Sequence, residues 1–273
     1  MKTDIFWFSG TGNSLYVAER IGEWLGDCRL RSMVAFDRSV GATSEAECLG
    51  LIFPVHGFSI PRCVETFLRG LDLSKYAYIF SVTTKGGSPE LSFKDLNRVL
   101  RRKKRELDAF FSIEMPNNTY FVHDLNSDSE ISAKRESAES RIAEIAQLVS
   151  RRGKTDASPG DSPIKIVVFR LLHSILTRTR YLGLEGKFHA TDACNGCGTC
   201  KTVCPSGKID MHAGVPVWAK NRICLFCGAC INYCPRQAVR NKCIRKSKTQ
   251  AAGQYHNKNI DASKIARQKP DFA

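Results

Sequence analysis

Eight of the twelve cysteines lie in two copies of one pattern in the last third of the chain. The copies read Cys194-x-x-Cys197-x-x-Cys200-x-x-x-Cys204-Pro205 and Cys224-x-x-Cys227-x-x-Cys230-x-x-x-Cys234-Pro235. Three thiolates at these spacings can hold three corners of a 4Fe-4S cubane from one tight loop, while the fourth, before proline, points toward a second cluster. The spacing therefore predicts two 4Fe-4S clusters.

The fourth cysteine of each copy is expected to bind the cluster of the other copy. Such crossed ligation would make the two halves one folding unit. The first cluster would be held by Cys194, Cys197, Cys200 and Cys234, and the second by Cys224, Cys227, Cys230 and Cys204.

Zinc and structural thiols are the alternatives for this region. Zinc sites usually use separated cysteine pairs rather than two four-cysteine runs that each end before proline. The remaining cysteines, Cys28, Cys48, Cys63 and Cys243, receive no role. Residues 188–240 resemble bacterial two-cluster ferredoxins, a resemblance carried by the duplicated cysteine pattern and by small residues such as Gly198 and Gly228.

A second candidate site follows the first apolar run of the chain. It is the segment Ser9-Gly10-Thr11-Gly12-Asn13-Ser14, which precedes a helical pattern. Glycines let backbone N–H groups approach a phosphate at a helix N-terminus, and the hydroxyls add donors. A P-loop is excluded because no Gly-Lys-Ser/Thr follows, and a dinucleotide fingerprint because Leu15 stands where its third glycine would be. A helix-capping loop without a ligand is the alternative.

The segment resembles the phosphate loop of flavodoxins, which bind FMN, and this resemblance covers about the first 120 residues. It implies that two further loops contact the flavin ring. These are Pro54-Val55-His56-Gly57-Phe58 and Thr83-Thr84-Lys85-Gly86-Gly87. The second loop lacks the large aromatic residue usual in flavodoxins, so His56 or Phe58 is expected to be the only stacking partner.

The two resemblances occur in this order in EFR1-type ferredoxins, which carry an N-terminal flavodoxin-like domain. The segments 115–118 and 214–218 also look like landmarks of that family. The resemblance implies a cofactor set of FMN and two 4Fe-4S clusters.

The elements that must position these residues alternate between strand-like and helical patterns. Five strands in this rhythm predict an α/β, flavodoxin-like doubly wound parallel sheet, followed by a small α+β two-cluster ferredoxin domain. We expect a flavodoxin-like domain over 1–150, a linker with an apolar docking segment over 151–187, a ferredoxin domain over 188–240 and a basic, disordered tail over 241–273. The apolar docking segment is Ile164–Leu176.

The formal charge of +14 is concentrated in a block at 101–105 and in the tail. Two clusters and a flavin phosphate would lower it to about +8. No aromatic residues interleave with the basic block, so we expect no nucleic-acid partner. No apolar run is long enough to span a bilayer. Peripheral membrane contact through Ile164–Leu176 is a minor alternative to packing between domains.

The absence of a signal-peptide pattern and the free-thiol chemistry place the chain in the cytoplasm. The leading hypothesis is an electron carrier that passes electrons between FMN and the clusters and on to an unknown redox partner protein. A flavin-dependent reductase of a small substrate and a redox sensor are the alternatives. The sequence shows no catalytic constellation beyond the cofactor loops.

Overall fold

Five apolar runs of the N-terminal half form one parallel sheet in the computed structural model, which describes residues 1–36, 45–86, 91–118, 125–155, 163–243 and 254–269. The strands pair in the order β2-β1-β3-β4-β5. This order confirms the predicted flavodoxin-like doubly wound sheet. The strands are β1 Thr3–Trp7, β2 Cys28–Ser32, β3 Cys48–Pro54, β4 Tyr78–Lys85 and β5 Ala109–Glu114.

Helices cover both faces of this sheet because the inner strands are buried on both sides. On one face, Val17 and Ile21 pack with Ile142 and Ile145. On the other face, the helices bury a second apolar cluster around the Phe6 side chain. The helices are α1 Asn13–Leu25 and α4 Asp128–Ser150 on the first face, and α2 Arg62–Gly70 and α3 Ser92–Arg101 on the second.

Helix α5, Pro163–Arg178, packs on the sheet domain with one side only. The rings of Phe58 and Phe169 lie 4.8 Å apart, and Arg170 pairs with the buried Asp95. The opposite side carries six exposed aliphatic residues at helical spacing, namely Ile164, Val167, Val168, Leu171, Leu172 and Ile175. The predicted docking segment therefore makes contacts through one face and leaves the other open to solvent.

The cysteine-rich region forms a small α+β unit with two short antiparallel sheets, as predicted. The first sheet pairs β6 Phe188–Ala190 with β9 Val239–Asn241, and the second pairs β7 Ile209–His212 with β8 Val215–Trp218. Two one-turn helices, α6 Thr199–Thr202 and α7 Ala229–Asn232, follow equivalent glycines in the two repeats. No helix in the described ranges is both long and apolar enough to cross a bilayer.

The C-terminal segment differs from the disordered tail that we expected. Residues 254–269 pack against both parts of the molecule and contain a short helix, α8 Ala262–Ala266. Tyr255, Ile260 and Ile265 are buried. The expectation gave too much weight to the polar composition, since three apolar side chains and several amide groups suffice to anchor sixteen residues. The rest of the expected tail, 244–253 and 270–273, lies outside the described residues.

Candidate functional site

The two cysteine loops have the same backbone course. Gly198 and Gly228 both adopt a left-handed conformation, with φ of 75° and 73°, immediately before α6 and α7. Phe226 is left-handed as well, and its ring stacks on that of Tyr181 at 4.3 Å. Such turns direct several backbone N–H groups toward one point, the arrangement that stabilises the sulfurs of an iron–sulfur cluster.

Several of the eight thiols lie near cysteines of the other repeat. Burial, followed by the neighbouring thiols of Cys234, Cys197 and Cys194, raises the pKa of Cys200 to about 11. After burial, the neighbouring thiols of Cys224, Cys204, Cys227 and Cys200 raise the pKa of Cys230 as well. Cys204 of the first repeat is thus near Cys230, and Cys234 of the second repeat is near Cys200, as crossed ligation requires.

The second group surrounds a cavity. Four of the residues that line it are Cys204, Cys224, Cys227 and Cys230, and its other walls include Phe188, Trp218 and Phe226. Cysteine thiolates are the ligands that hold 4Fe-4S clusters, so the second group offers the donor type that such a cluster needs.

Backbone donors reach the sulfurs of both groups. The Ala238 N–H donates to Sγ of Cys234 at 3.3 Å, and the Phe226 N–H donates to Sγ of Cys224 at 3.4 Å. These hydrogen bonds favour the thiolate and raise the reduction potential of a bound cluster. Burial raises the pKa of the Cys224 thiol to about 12, so metal binding at this site must release its proton.

The predicted phosphate loop joins β1 to α1, and all six of its residues are buried. Ser14 shares a 2.7 Å hydrogen bond with Thr84, whose hydroxyl lies near the carboxyl end of β4. The Asn118 amide donates to Oγ1 of Thr11 at 2.6 Å, and the Asn13 amide donates to the Pro116 carbonyl at 3.2 Å. The loop is thus held from two neighbouring strand ends, the usual ligand edge of such a sheet.

The C-terminal segment 254–269 binds the same loop. The Gln268 side chain donates to the Ser9 carbonyl at 2.8 Å, and its oxygen accepts from the Ser9 N–H at 3.4 Å. The Asn257 N–H donates to the Thr11 carbonyl at 2.8 Å. The Tyr255 hydroxyl donates to Oδ1 of Asn13 at 2.8 Å. Sequence analysis missed these residues.

The two glycines of the loop are in close contact with protein atoms. A Cβ atom on Gly10 would lie 2.1 Å from the carbonyl oxygen of Cys227, in the second cysteine loop. A Cβ atom on Gly12 would lie 2.8 Å from Ile260 and 2.9 Å from the Tyr233 hydroxyl. In this arrangement the residues present do not fit an FMN phosphate, because the ferredoxin-type unit and the C-terminal segment fill the space beside the loop.

The loops expected to contact the flavin ring are also engaged by protein groups. His173 of α5 lies 2.9 Å from the Gly57 carbonyl oxygen through its Nδ1, and the Phe58 ring packs on Phe169. Burial, with a smaller contribution from His173, lowers the pKa of His56 to about 4. Pro54 ends β3 and Val55 follows it, while Thr83, Thr84 and Lys85 end β4. Gly86 faces Asn117, and Gly87 lies outside the described residues.

Comparison with known proteins gives one family match and several structural neighbours. A sequence model described as a 4Fe-4S dicluster domain matches residues 193–239. A flavodoxin from the domain Archaea is 17% identical, with a TM-score of 0.36, and the match covers 54% of this chain and 99% of that one. The flavodoxin of Streptococcus pneumonia TIGR4 is 19% identical, with a TM-score of 0.37, over 55% of this chain and 99% of that one. No curated protein matches the chain.

The strand order of the sheet and the dicluster match together describe the two parts of the chain. The order β2-β1-β3-β4-β5 is that of a flavodoxin-like domain, independently of any single neighbour. The matched segment at 193–239 contains all eight cysteines of the two repeats. The chain therefore combines a flavodoxin-like fold with a following segment that matches a 4Fe-4S dicluster domain.

Proposed function

We propose that this chain is a cytoplasmic electron carrier that passes single electrons through two 4Fe-4S clusters to a redox partner protein. The observation that supports the proposal most directly is that residues 193–239, which contain all eight cysteines of the two repeats, match a 4Fe-4S dicluster domain. Cysteine thiolates in this arrangement hold one-electron clusters. A reducing compartment keeps such thiols available for iron.

The protein's own residues would bind the clusters, shield them and tune them. The cavity walls formed by Phe188, Trp218 and Phe226 would exclude water from a cluster held there. Cys197 is the one exposed thiol among the eight proposed ligands. The first cluster is therefore the better candidate for exchange with a partner, because electron transfer between proteins requires close approach.

FMN enters the proposal only for a different arrangement of the chain, one in which protein groups do not fill the phosphate loop. When bound, FMN can accept two electrons and release them singly. In the arrangement described here the phosphate loop is filled by protein, so we route no electron through FMN. The reductase alternative needs a flavin face open to substrate, and the loop 54–58 is covered by α5.

The test is anaerobic purification followed by iron and sulfide analysis and a redox titration. We expect about eight iron and eight sulfide per chain, reduced in one-electron steps. Stoichiometric zinc without iron would contradict the proposal. Turnover of small oxidants by the reduced protein, at rates above those of a free two-cluster ferredoxin, would favour the reductase instead.

Cys204→Ser provides the sharpest variant of this test, because Cys204 belongs to the first repeat but lies beside the thiols of the second group. We expect loss of the second cluster, and with it about half of the iron, with the first cluster retained or weakened. Cys243→Ser is the matched control, since Cys243 is exposed and outside both groups. Equal iron in both variants would refute the crossed assignment.

A further inference from the structure

We propose that the chain's own C-terminal segment, residues 254–269, is a competing ligand of the phosphate loop, so that FMN can enter only when this segment leaves. The inference concerns the flavin site of the proposed function and adds a regulatory step to it. Its basis is that this one segment pairs with the N–H and carbonyl of Ser9 and with the Thr11 carbonyl, and that its Ile260 fills space beside Gly12. The second cysteine loop fills the space beside Gly10.

The hydrogen bonds of Gln268 are the first argument. Its side-chain amide pairs with both the N–H and the carbonyl of Ser9, as a neighbouring strand would. The Gln268 oxygen therefore uses an N–H that a phosphate oxygen would otherwise accept from. Gln268 is fully buried, so this pairing is shielded from water.

Steric contact is the second argument. Ile260 is fully buried and lies against Gly12, the residue at the start of α1 where a phosphate would sit. The Ile260 carbonyl also accepts a hydrogen bond from the Tyr233 hydroxyl at 3.0 Å. Tyr233 directly precedes Cys234, a proposed ligand of the first cluster. The occupant of the loop is therefore attached to a cluster loop.

Two lysines anchor the segment at the sheet domain and at the dicluster domain. Lys264 pairs with Glu19 of α1 at 2.9 Å, and Lys269 donates to the carbonyl of Lys201 in the first cysteine loop. Because the segment binds both domains, its departure from the loop would also loosen the interface between them. FMN binding and the docked arrangement would consequently exclude each other.

The test measures FMN affinity and segment protection on the iron-loaded full-length protein. FMN is titrated while its fluorescence quenching is followed, and hydrogen exchange reports on 254–269. The wild-type chain should bind FMN weakly or not at all. The variant Ile260→Ala/Gln268→Ala should bind FMN at least about tenfold more tightly, a gain of about 1.4 kcal/mol. Exposed residues of the same segment supply the control variant, Lys258→Ala/Arg267→Ala, which should behave as wild type.

Three results would overturn the inference. The first is FMN affinity that is equal in wild type and the Ile260→Ala/Gln268→Ala variant, including no binding in either. The second is FMN binding to the wild type while 254–269 stays protected. The third is a gain of FMN affinity in the control variant as large as in the test variant. Iron content and cluster reduction, measured on the same samples, report separately on the proposed function. If the double variant loses iron, Gln268→Ala alone replaces it.

Discussion

Gly10 is a residue for which the sequence and the structure suggest different ligands. We predicted that the glycine lets backbone N–H groups approach a phosphate, whereas the structure places the Cys227 carbonyl against it. Both explanations require the absence of a side chain. The sequence alone cannot separate them, because the group that approaches Gly10 comes from more than two hundred residues away in the chain.

Replacing Gly10 by alanine tests the contact with Cys227. The new Cβ would meet the carbonyl oxygen at 2.1 Å, and a backbone atom cannot move aside as a flexible side chain can. We expect the packing of the second cysteine loop on the sheet domain to lose about 1–3 kcal/mol of stability, as when a tight core is overpacked. The measurement is the thermal midpoint together with the exchange rate of the Asn257 amide.

Gly186→Ala is the matched control for Gly10→Ala. No atom lies within 4 Å of a Cβ added at Gly186. The variant should therefore keep the wild-type thermal midpoint and the wild-type protection of Asn257. Equal effects of the two substitutions would mean that Gly10 does not fix the interface.

His56 makes the stability of the folded protein depend on pH. Burial and the neighbouring His173 lower its pKa in the folded protein to about 4, below the ordinary 6.5. The folded state therefore binds fewer protons than the unfolded state as the pH falls through 6.5, and stability decreases until about pH 4. His56→Gln should remove this dependence and reduce the slope of the free energy of unfolding against pH by up to about 1.4 kcal/mol per pH unit.

The measurement for His56 is the difference in thermal midpoint between variant and wild type, at about pH 8 and about pH 5. The variant should be relatively more stable at the lower pH. An equal difference in thermal midpoint at the two pH values would show that the pKa of His56 is not lowered in the folded protein.

At the scale of elements, helix α5 packs differently from what we expected. Its apolar composition predicted packing between domains, yet Ile164 is 75% exposed and Leu171 is 61% exposed. The residues between them, such as Phe169 and His173, make the contacts with the sheet domain instead. Apolar composition marked the segment, but composition alone cannot tell which side chains turn inward.

Paired substitutions in α5 separate its two faces. Leu171→Glu should change the free energy of unfolding by less than about 0.5 kcal/mol, because the side chain is exposed. Phe169→Ala should cost about 1–2 kcal/mol, since it removes the ring that packs on Phe58. Thermal melts of the two variants beside wild type make the comparison. A larger loss for Leu171→Glu would show that the aliphatic face is covered in solution.

The cysteine loops were the most predictable elements, and the C-terminal segment was the least. Ligation geometry confines Cys194–Cys204 and Cys224–Cys234 to a few backbone courses, so spacing alone predicts both loops and their crossing. In contrast, the packing of 254–269 depends on amides such as Asn257 and Gln268 that meet distant backbone groups. A weak signal existed in the spacing of Tyr255, Ile260 and Ile265, but no local rule links it to the phosphate loop.

At the scale of the whole molecule, the second cysteine loop and the sheet domain are in direct contact. Cys227 of the second cysteine loop touches Gly10, and Tyr233 of the same loop holds Ile260 against Gly12. Both contacts depend on the course of the loop 224–234. Bound clusters would fix that course, because ligation supplies much of the folding free energy of small metal domains. Cluster loss should therefore reach the phosphate loop.

Removal of iron by a chelator under anaerobic conditions tests this link. We expect the amides of Asn257 and Ile260 to exchange faster by at least about tenfold, because the cysteine loops that hold the segment lose their ligands. Amides of the central strand β4 should keep their protection, since the apolar faces of the sheet bury them independently of the clusters. Restoring iron and sulfide should reverse the change. Unchanged exchange at Asn257 in the iron-free protein would show that the segment binds the phosphate loop without help from the clusters, and the two domains would then be separate modules.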